Sequence, residues 1–139
     1  MRTSATLVAI AVVLLSACAT LNSRPTLDGS TWQLTSWSES GRDPSAFTIT
    51  ANFAGGGMQG KSAVNNYIGN YTEGPGQAFK LDQVGSTMMA GPTEAMEAEQ
   101  TFFRLLDQVR SWRRESGALT LADAASKALL VFNAATPSP

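Results

Sequence analysis

The chain has 139 residues and an almost balanced charge, with 10 Lys and Arg against 11 Asp and Glu. It contains no histidine, which excludes a Ser-His-Asp triad, a histidine-ligated zinc site and a histidine pH switch. The nearest approach to a basic patch is Arg110, Arg113 and Arg114, which follow a predicted helix and favour its C-terminal end. No nucleic-acid partner is therefore expected.

The first element is an apolar run that ends at the only cysteine of the chain. Arg2 precedes the unbroken apolar residues 7–15, and two small residues stand before Cys18. This is the layout of an export signal, and nine apolar residues reach only about 14 Å as a helix, about half of a bilayer core. The tetrad Leu-Ser-Ala-Cys that ends at Cys18 resembles the bacterial lipoprotein signal, which implies cleavage before Cys18 and lipid attachment to its thiol. An ordinary signal peptide with an incidental thiol, or a buried cysteine in a cytosolic helix, is the alternative.

The lipoprotein interpretation predicts how the whole chain is divided. We expect a signal peptide over 1–17, a tether over 18–26, one folded domain over 27–133 and a disordered tail over 134–139. Residue 19 is alanine rather than aspartate, so the resemblance implies an outer-membrane lipoprotein facing the periplasm, with the lipid on Cys18 as its membrane link. Once Cys18 carries lipid, no free thiol and no intramolecular disulfide remain. No metal and no cofactor are expected.

Strand patterns dominate the residues after the tether. Residues 31–37 are rich in strand formers, with Trp32 and Leu34 on one face and Trp37 on the other. Residues 47–53 alternate cleanly between apolar and polar side chains and are the clearest strand of the chain. The side chains expected on their common face are Phe47, Ile49, Ala51 and Phe53.

A glycine turn at 55–57 separates this strand from strands predicted near 58–62 and over 64–71, and a further strand places Phe79 and Leu81 on one face. Residues 93–111 change to helical periodicity, with Pro92 or Thr93 as the start. Two or three strands close the domain, with candidates at 111–114, 118–121 and 127–133. Strands in runs around a single amphipathic helix predict an antiparallel α+β domain.

One glycine-rich segment matches a nucleotide-binding motif. Residues 55–62, from Gly55 to Ser62, fit the phosphate-loop pattern G-x-x-x-x-G-K-[ST]. That loop requires a helix beginning at Lys61, but residues 63–71 contain asparagines, β-branched residues and glycine, which form helices poorly. We expect a hairpin turn followed by a strand, and a nucleotide-binding enzyme that uses Lys61 and Ser62 is the alternative.

The same region carries a family resemblance. Residues 60–71, GKSAVNNYIGNY, resemble the G-x-S-G-C-N-x-Y-x-G-x-Y signature of the META domain, the HslJ-like lipoprotein family. Leu27-Asp28-Gly29 before Trp32, and residues 86–91, which resemble a T-x-M-A-C segment, support it. The resemblance covers residues 27 to 133 and implies a strongly curved antiparallel sheet, a cracked and half-open barrel, with one helix packed over an opening.

The resemblance also carries implications for individual positions. The two cysteines of the family fall on Val64 and Gly91, so we expect these two residues to lie close together. Family members are envelope or stress-associated proteins without an established reaction. No catalytic residue is therefore predicted, and the binding residues remain unknown.

Several polar and sulfur-containing side chains have two interpretations. Glu99 lies inside the apolar stripe of the helix, where burial would raise its pKa and suggest a functional role; otherwise it lies at a wet rim or pairs with Lys or Arg. Asn65, Asn66 and Asn70 line a polar pocket or serve turn and sheet-edge hydrogen bonds. Met88 and Met89 are interpreted as core residues rather than as copper ligands with Met58 or Met96. The carboxylates are too scattered for a hydrolase; they are Asp82, Glu94, Glu97 and Asp107.

Three functions are compatible with these patterns. The first is a lipid-anchored envelope protein whose non-catalytic domain binds a partner protein or a small apolar ligand in envelope maintenance or stress response. The second is the nucleotide-binding enzyme that uses Lys61. The third is a purely structural envelope component.

Overall fold

The computed structural model describes residues 24–135, which form one antiparallel sheet and one α-helix. The strands are β1 Ser30–Trp37, β2 Thr50–Ala54, β3 Gly57–Lys61, β4 Asn66–Gly74, β5 Ala78–Ser86, β6 Ser111–Glu115, β7 Ala118–Ala122 and β8 Ala128–Ala134, and helix α1, Thr93–Asp107, lies between β5 and β6. Each strand pairs with the next, and β8 pairs with β1, so the sheet curves into a ring. The predicted α+β fold with a single curved sheet and one helix is confirmed. Within the described residues, no helix is long and apolar enough to cross a membrane.

The ring is almost open at one seam. β5 and β6 share only the register pair Ala78 and Ser111, supported by a backbone hydrogen bond of 2.8 Å from Phe79 N to Arg110 O. Residues 80–86 of β5 pair with β4 on one side and with no strand on the other. The long connection from β5 to β6 contains α1, which packs beside this open edge. The half-open character expected from the resemblance is therefore located at the seam between β5 and β6.

The first hairpin follows the predicted pattern closely. Gly55 and Gly56 have φ values of 57° and 79°, as the two-residue turns that match strand twist require. Ile49 and Phe53 are fully buried as predicted, although β2 begins at Thr50 rather than at residue 47. Of the earlier residues, Ile49 makes an isolated antiparallel bridge with Ser62, and Phe47 follows a short 3₁₀ helix, Pro44–Ala46. The Asp43 carboxylate caps this helix by accepting a hydrogen bond from Ser45 N.

One predicted orientation is wrong. Trp32 and Leu34 are buried as expected, but Trp37 does not lie on the opposite face. A β-bulge between Leu34 and Ser36 shifts the register with β8, so that Trp37 stands opposite the buried Leu130 and packs against the core. An extra residue in a strand reverses the alternation beyond it, which a period of two cannot predict.

Helix α1 ends at Asp107, earlier than the predicted residue 111. Gln108 N donates to two carbonyls of the last turn, and Arg110 N then bonds to Ala122 O in β7. Arg110 does lie at the helix end, where its guanidinium donates to Asp107 O at 2.7 Å. Arg113 and Arg114 belong to β6 instead. The helix residues buried against the sheet are Ala98, Glu99, Phe102, Leu105 and Leu106.

Candidate functional site

The open seam contains a cleft between β5 and α1, with both apolar and polar groups in its walls. Its volume is about 240 Å³. We call it the seam cleft; it is lined by Leu81, Val84, Gly85, Ser86, Phe103, Leu106 and Asp107. A strand edge without a partner lies along one wall and an apolar helix face along the other. Such an edge can pair with an added strand, and the apolar wall can receive its side chains.

Four large apolar side chains are exposed around this part of the molecule. Met88 is 97% exposed, Ile68 58%, Met89 55% and Val84 44%. Ile68 pairs with Gly85 across β4 and β5, and the two methionines follow the end of β5. The prediction that Met88 and Met89 are core residues is wrong. Of the four methionines considered as copper ligands, only Met58 is completely buried, whereas Met88 and Met89 are exposed. The structure therefore does not gather the four side chains at one site.

The exposed methionines belong to residues 87–91, which we call the methionine loop. Asn65, 2% exposed, holds this loop through its side-chain amide. Its Oδ1 accepts hydrogen bonds from Met89 N at 2.7 Å and from Thr87 Oγ1 at 2.8 Å, while its Nδ2 donates to Met89 O at 3.1 Å. The methionines are therefore displayed on a backbone that is fixed by a buried side chain.

Asn65 is in turn held by the carboxylate of Glu99. Glu99 Oε1 accepts from Asn65 Nδ2 at 2.8 Å, and Oε2 accepts from Asn65 N at 2.8 Å. Oε2 also accepts from Ser62 Oγ at 2.7 Å and from Val64 N at 3.3 Å. One carboxylate on the helix thus joins the turn between β3 and β4 to α1 and, through Asn65, to the methionine loop.

Neither interpretation of Glu99 describes it fully: the burial is confirmed, but the raised pKa, the wet rim and the pairing with Lys or Arg are wrong. The residue is buried, at 7% exposure, and none of the ion pairs among the described residues includes it. Desolvation acts to raise the pKa of Glu99, but the hydrogen bonds from Asn65, Ser62 and Val64 outweigh it and hold the pKa below its ordinary value. Glu99 is therefore an ionised structural acceptor. The donors that compensate its charge are amides and a hydroxyl, which the helix pattern alone does not reveal.

The expected proximity of Val64 and Gly91 is observed. A Cβ placed on Gly91 would lie 2.9 Å from each Val64 methyl carbon and 3.5 Å from Val64 Cβ. The two positions are therefore in contact, and in this chain a valine fills the space beside a residue without a side chain. Ala63, at the glycine position of the signature, has a φ of 86°, a conformation that favours glycine.

The phosphate-loop match is a hairpin, as expected. Residues 57–61 form strand β3, and no helix begins at Lys61. Lys61 is exposed. The Ser62 hydroxyl is buried, and it donates to Glu99 Oε2 and to Asn65 O instead of being free to bind a metal ion. A Cβ on Gly60 would lie 2.3 Å from Thr50 O, so this glycine is required by close strand contact rather than by a phosphate.

The remaining polar candidates do not gather in one place. Asn66 and Asn70 are exposed, and Asn70 Nδ2 donates to Gln83 Oε1 across the sheet at 3.0 Å. The side chain of Asp82 pairs with Lys80 at 3.1 Å. Glu97 pairs with Arg42 at 2.5 Å. Within residues 24–135 there is no group of three or more acidic or cysteine side chains that could hold a metal ion. Cys18, the signal, most of the tether and most of the tail lie outside the described residues.

Sequence reasoning missed the joint role of Ser62, Asn65 and Glu99. The signal was present in the signature, because Ser62 and Asn65 are two of its polar positions. It also missed a second cavity, lined by Arg24, Glu73 and Trp112 among others. These residues are too far apart in the chain to form a recognisable pattern.

Comparisons with known proteins agree on the fold. An NMR structure of a protein from Burkholderia xenovorans is similar with a TM-score of 0.64 and 21% identity, covering 79% of this chain and 84% of that one. A crystal structure of a DUF4847 family protein from Bacteroides vulgatus ATCC 8482 is similar with a TM-score of 0.57 and 12% identity, covering 81% and 96%. No curated protein matches.

The family model of the META domain matches residues 25–136, which is most of the chain. The match includes the signature at 60–71, the methionine loop and α1. The structure explains the polar positions of that signature, since Ser62 and Asn65 bind the Glu99 carboxylate. The chain belongs to the META domain family.

Proposed function

We propose that this protein is a lipid-anchored component of the bacterial outer membrane, attached through Cys18, whose META domain binds an apolar segment of a partner protein. The segment occupies the seam cleft and covers the apolar side chains around it. The domain acts as a binding module and not as an enzyme, in envelope maintenance or stress response. The observation that carries the binding role is the exposure of Val84, which lines the cleft, and of Met88 and Met89, which follow the cleft residue Ser86 in the chain; we call these three side chains the apolar rim.

Two observations favour a protein segment over a small apolar ligand. The cleft of about 240 Å³ is smaller than the roughly 300–1,000 Å³ typical of small-molecule sites. Beside it, residues 80–86 of β5 have an unpaired backbone edge, which an extended segment can complete with main-chain hydrogen bonds. Flexible methionines adapt to the side chains of a partner, as they do at other binding surfaces.

The Glu99 network supports this role by fixing the rim. Met88 is almost fully exposed, yet the backbone of Met89 makes two hydrogen bonds to the buried Asn65 side chain. A preformed loop loses less conformational entropy when a partner binds. Exposure of an ordered apolar loop is therefore consistent with recognition.

Site-specific crosslinking in intact cells tests the binding role. A photoreactive amino acid at position 88 is expected to form a discrete protein adduct, whereas the same group at the exposed position 59 on β3 is not. Adding Val84→Asp is expected to abolish the adduct at 88, because a carboxylate in the cleft wall opposes burial of an apolar segment. An adduct at 88 that survives Val84→Asp, or equal adducts at both positions, contradicts the proposal.

A separate experiment tests the anchor. Cys18→Ser is expected to block signal cleavage at this position and lipid labelling of the chain. If the variant is processed and fractionates with membranes like the parent, the lipoprotein assignment is wrong. The nucleotide alternative predicts saturable ATP-Mg²⁺ binding that Lys61→Ala removes; we expect no such binding.

A further inference from the structure

The methionine loop holds the most accessible sulfur atoms of the described residues. Met88 is 97% exposed and Met89 is 55% exposed, whereas Met58 is completely buried and Met96 of α1 is half-buried. Peroxides oxidise the thioether of methionine, and exposed side chains are the ones that react readily. No cysteine lies within residues 24–135, so no thiol of this part of the chain competes for the oxidant. Two oxidisable side chains therefore stand together at the apolar rim.

The aromatic side chains that strong oxidants also attack are protected by the fold. The chain has three tryptophans, two tyrosines and no histidine. Trp32, Trp112, Tyr67 and Tyr71 are buried, and Trp37 is half-buried and packs against the core. Within the part of the chain that the structure describes, exposure of readily oxidised groups is therefore greatest in the methionine loop.

The exposure of the two methionines is a property of the folded protein. Both polar groups of the Met89 backbone bond to the Asn65 side chain, Met89 N at 2.7 Å and Met89 O at 3.1 Å. Thr87 Oγ1 also donates to Asn65 Oδ1, at 2.8 Å. An oxidant therefore reaches Met88 without any opening of the domain. Because these bonds use the backbone and the Thr87 hydroxyl, oxidation of the methionine side chains leaves them in place.

We propose that Met88 and Met89 form an oxidation switch that releases the partner segment from the seam cleft. The oxidant is hydrogen peroxide, and the sulfur lone pair of each methionine attacks one of its oxygens. An S–O bond forms and the O–O bond breaks. The departing hydroxide takes up the proton of the transferred hydroxyl group and leaves as water. The sulfur loses one electron pair, the peroxide gains it, and the product is methionine sulfoxide.

Oxidation makes the apolar rim polar, and its effect on the partner rests on the proposed binding role. The sulfoxide oxygen is a hydrogen-bond acceptor that water solvates in the free protein, and an apolar segment that covers it removes this water without replacing the bond. Both methionines add this cost to binding. The change is reversible, because methionine sulfoxide reductases, one for each epimer, restore the thioether. In that step two thiols become a disulfide and the oxygen leaves as water.

Oxidation of the purified full chain in dodecyl maltoside by hydrogen peroxide tests the modification site. Mass spectrometry with fragmentation follows the gain of one oxygen atom on each methionine with time. We expect Met88 to react first and Met58 to react at least about a hundredfold more slowly, because the Met58 thioether is reached only when the core opens. The midpoint of thermal unfolding should stay unchanged after oxidation of the loop. If Met58 or Met96 reacts as fast as Met88, the modification site is wrong.

Crosslinking in intact cells tests the switch. A photoreactive amino acid at position 86, an exposed position in the wall of the seam cleft, reports whether the cleft is occupied. Peroxide should lower the yield of the adduct about tenfold or more, and the adduct should return only in cells that have both reductases. The double variant Met88→Leu with Met89→Leu keeps the rim apolar but cannot take up oxygen, so its adduct should survive peroxide. Met88→Gln with Met89→Gln should lose the adduct without peroxide.

The outcomes separate the switch from the binding role. If the double leucine variant loses its adduct in peroxide as the parent does, the oxidation that matters lies elsewhere and the switch is wrong. An adduct that persists in the parent after Met88 and Met89 are oxidised overturns the switch as well. Absence of any adduct at 86 in untreated cells contradicts the proposed function and the switch together. The rates of oxidation need no partner, so they decide the modification site independently of that result.

Discussion

A disulfide engineered between positions 64 and 91 tests the contact between the β3–β4 turn and the methionine loop. The change is Val64→Cys with Gly91→Cys, made with Cys18→Ser so that only two thiols remain. A Cβ on Gly91 lies 3.5 Å from Val64 Cβ, and disulfides span about 3.5–4.5 Å between these atoms. The bond should therefore form without movement of the backbone.

The magnitude follows from the length of chain that the bond closes. Positions 64 and 91 enclose a loop of about 28 residues, for which the loss of entropy in the unfolded chain corresponds to about 3.5 kcal/mol at 25 °C. For a domain of about 110 residues this raises Tm by about 15 °C. The valine methyl groups that would clash with a Gly91 side chain are removed by the same pair of substitutions.

Urea unfolding with and without reductant measures the effect, and the reduced protein is its own control. We expect the oxidised form to be more stable and Gly91→Ala alone to lose about 1–3 kcal/mol, because its methyl group would meet both Val64 methyl carbons at 2.9 Å. Val64→Ala should restore part of that loss. If no disulfide forms under oxidising conditions, or if the oxidised form is no more stable than the reduced one, residues 64 and 91 are not in contact.

Three further predictions concern single side chains. Glu99→Gln should lose about 2–4 kcal/mol at pH 7, because the amide cannot accept from all the donors that the carboxylate holds. The pKa of Glu99 in the folded protein lies below its ordinary value of 4.5. Its contribution to the free energy of unfolding is therefore present above pH 4.5 and is lost as the pH falls through the folded pKa. Urea unfolding at a series of pH values should show that acid lowers the stability of the variant less than that of the parent. Gly60→Ala should lower the free energy of unfolding, measured by thermal unfolding, by more than about 3 kcal/mol, because Thr50 O lies 2.3 Å from the added carbon. Gly85→Ala is the matched control: its added carbon meets no atom within 4 Å, so the stability should hardly change. Ala63→Gly should raise the unfolding free energy by about 1 kcal/mol because it relieves the positive φ of 86°, and an unchanged or lower value would contradict this.

Much of the fold could be predicted because short-range patterns control it. Alternation over 47–53 identified the buried face of β2, and the glycine turn that begins at 55–56 identified its connection to β3. The predictions of strand faces and helix length failed where a single local feature interrupted the repeating pattern of side chains. The bulge after Leu34 turned Trp37 inward, and the capping of α1 at Gln108 ended the helix early.

The candidate site could be predicted only in part. The family resemblance predicted the contact of Val64 with Gly91. The hydrophobic character of Met88 predicted that this side chain is buried, but it is exposed. Hydrophobicity predicts burial when the fold has room on its inner face, and the methionine loop runs outside the ring. The donors to Glu99 come from residues more than 30 positions away, so no helical pattern could reveal them.

The sequence by itself determined the order of the strands along the chain, the presence of a single helix and the family. The alternation of side chains, the turn residues and the signature are all properties of residues that are neighbours in the chain. Only the tertiary structure decided that Glu99 is ionised and satisfied, that β5 has an open edge, and that Arg24, Glu73 and Trp112 share a cavity. These features depend on which distant segments meet when the ring closes. Burial, hydrogen-bond satisfaction and cavity shape are then properties of the assembled contacts and of no single segment.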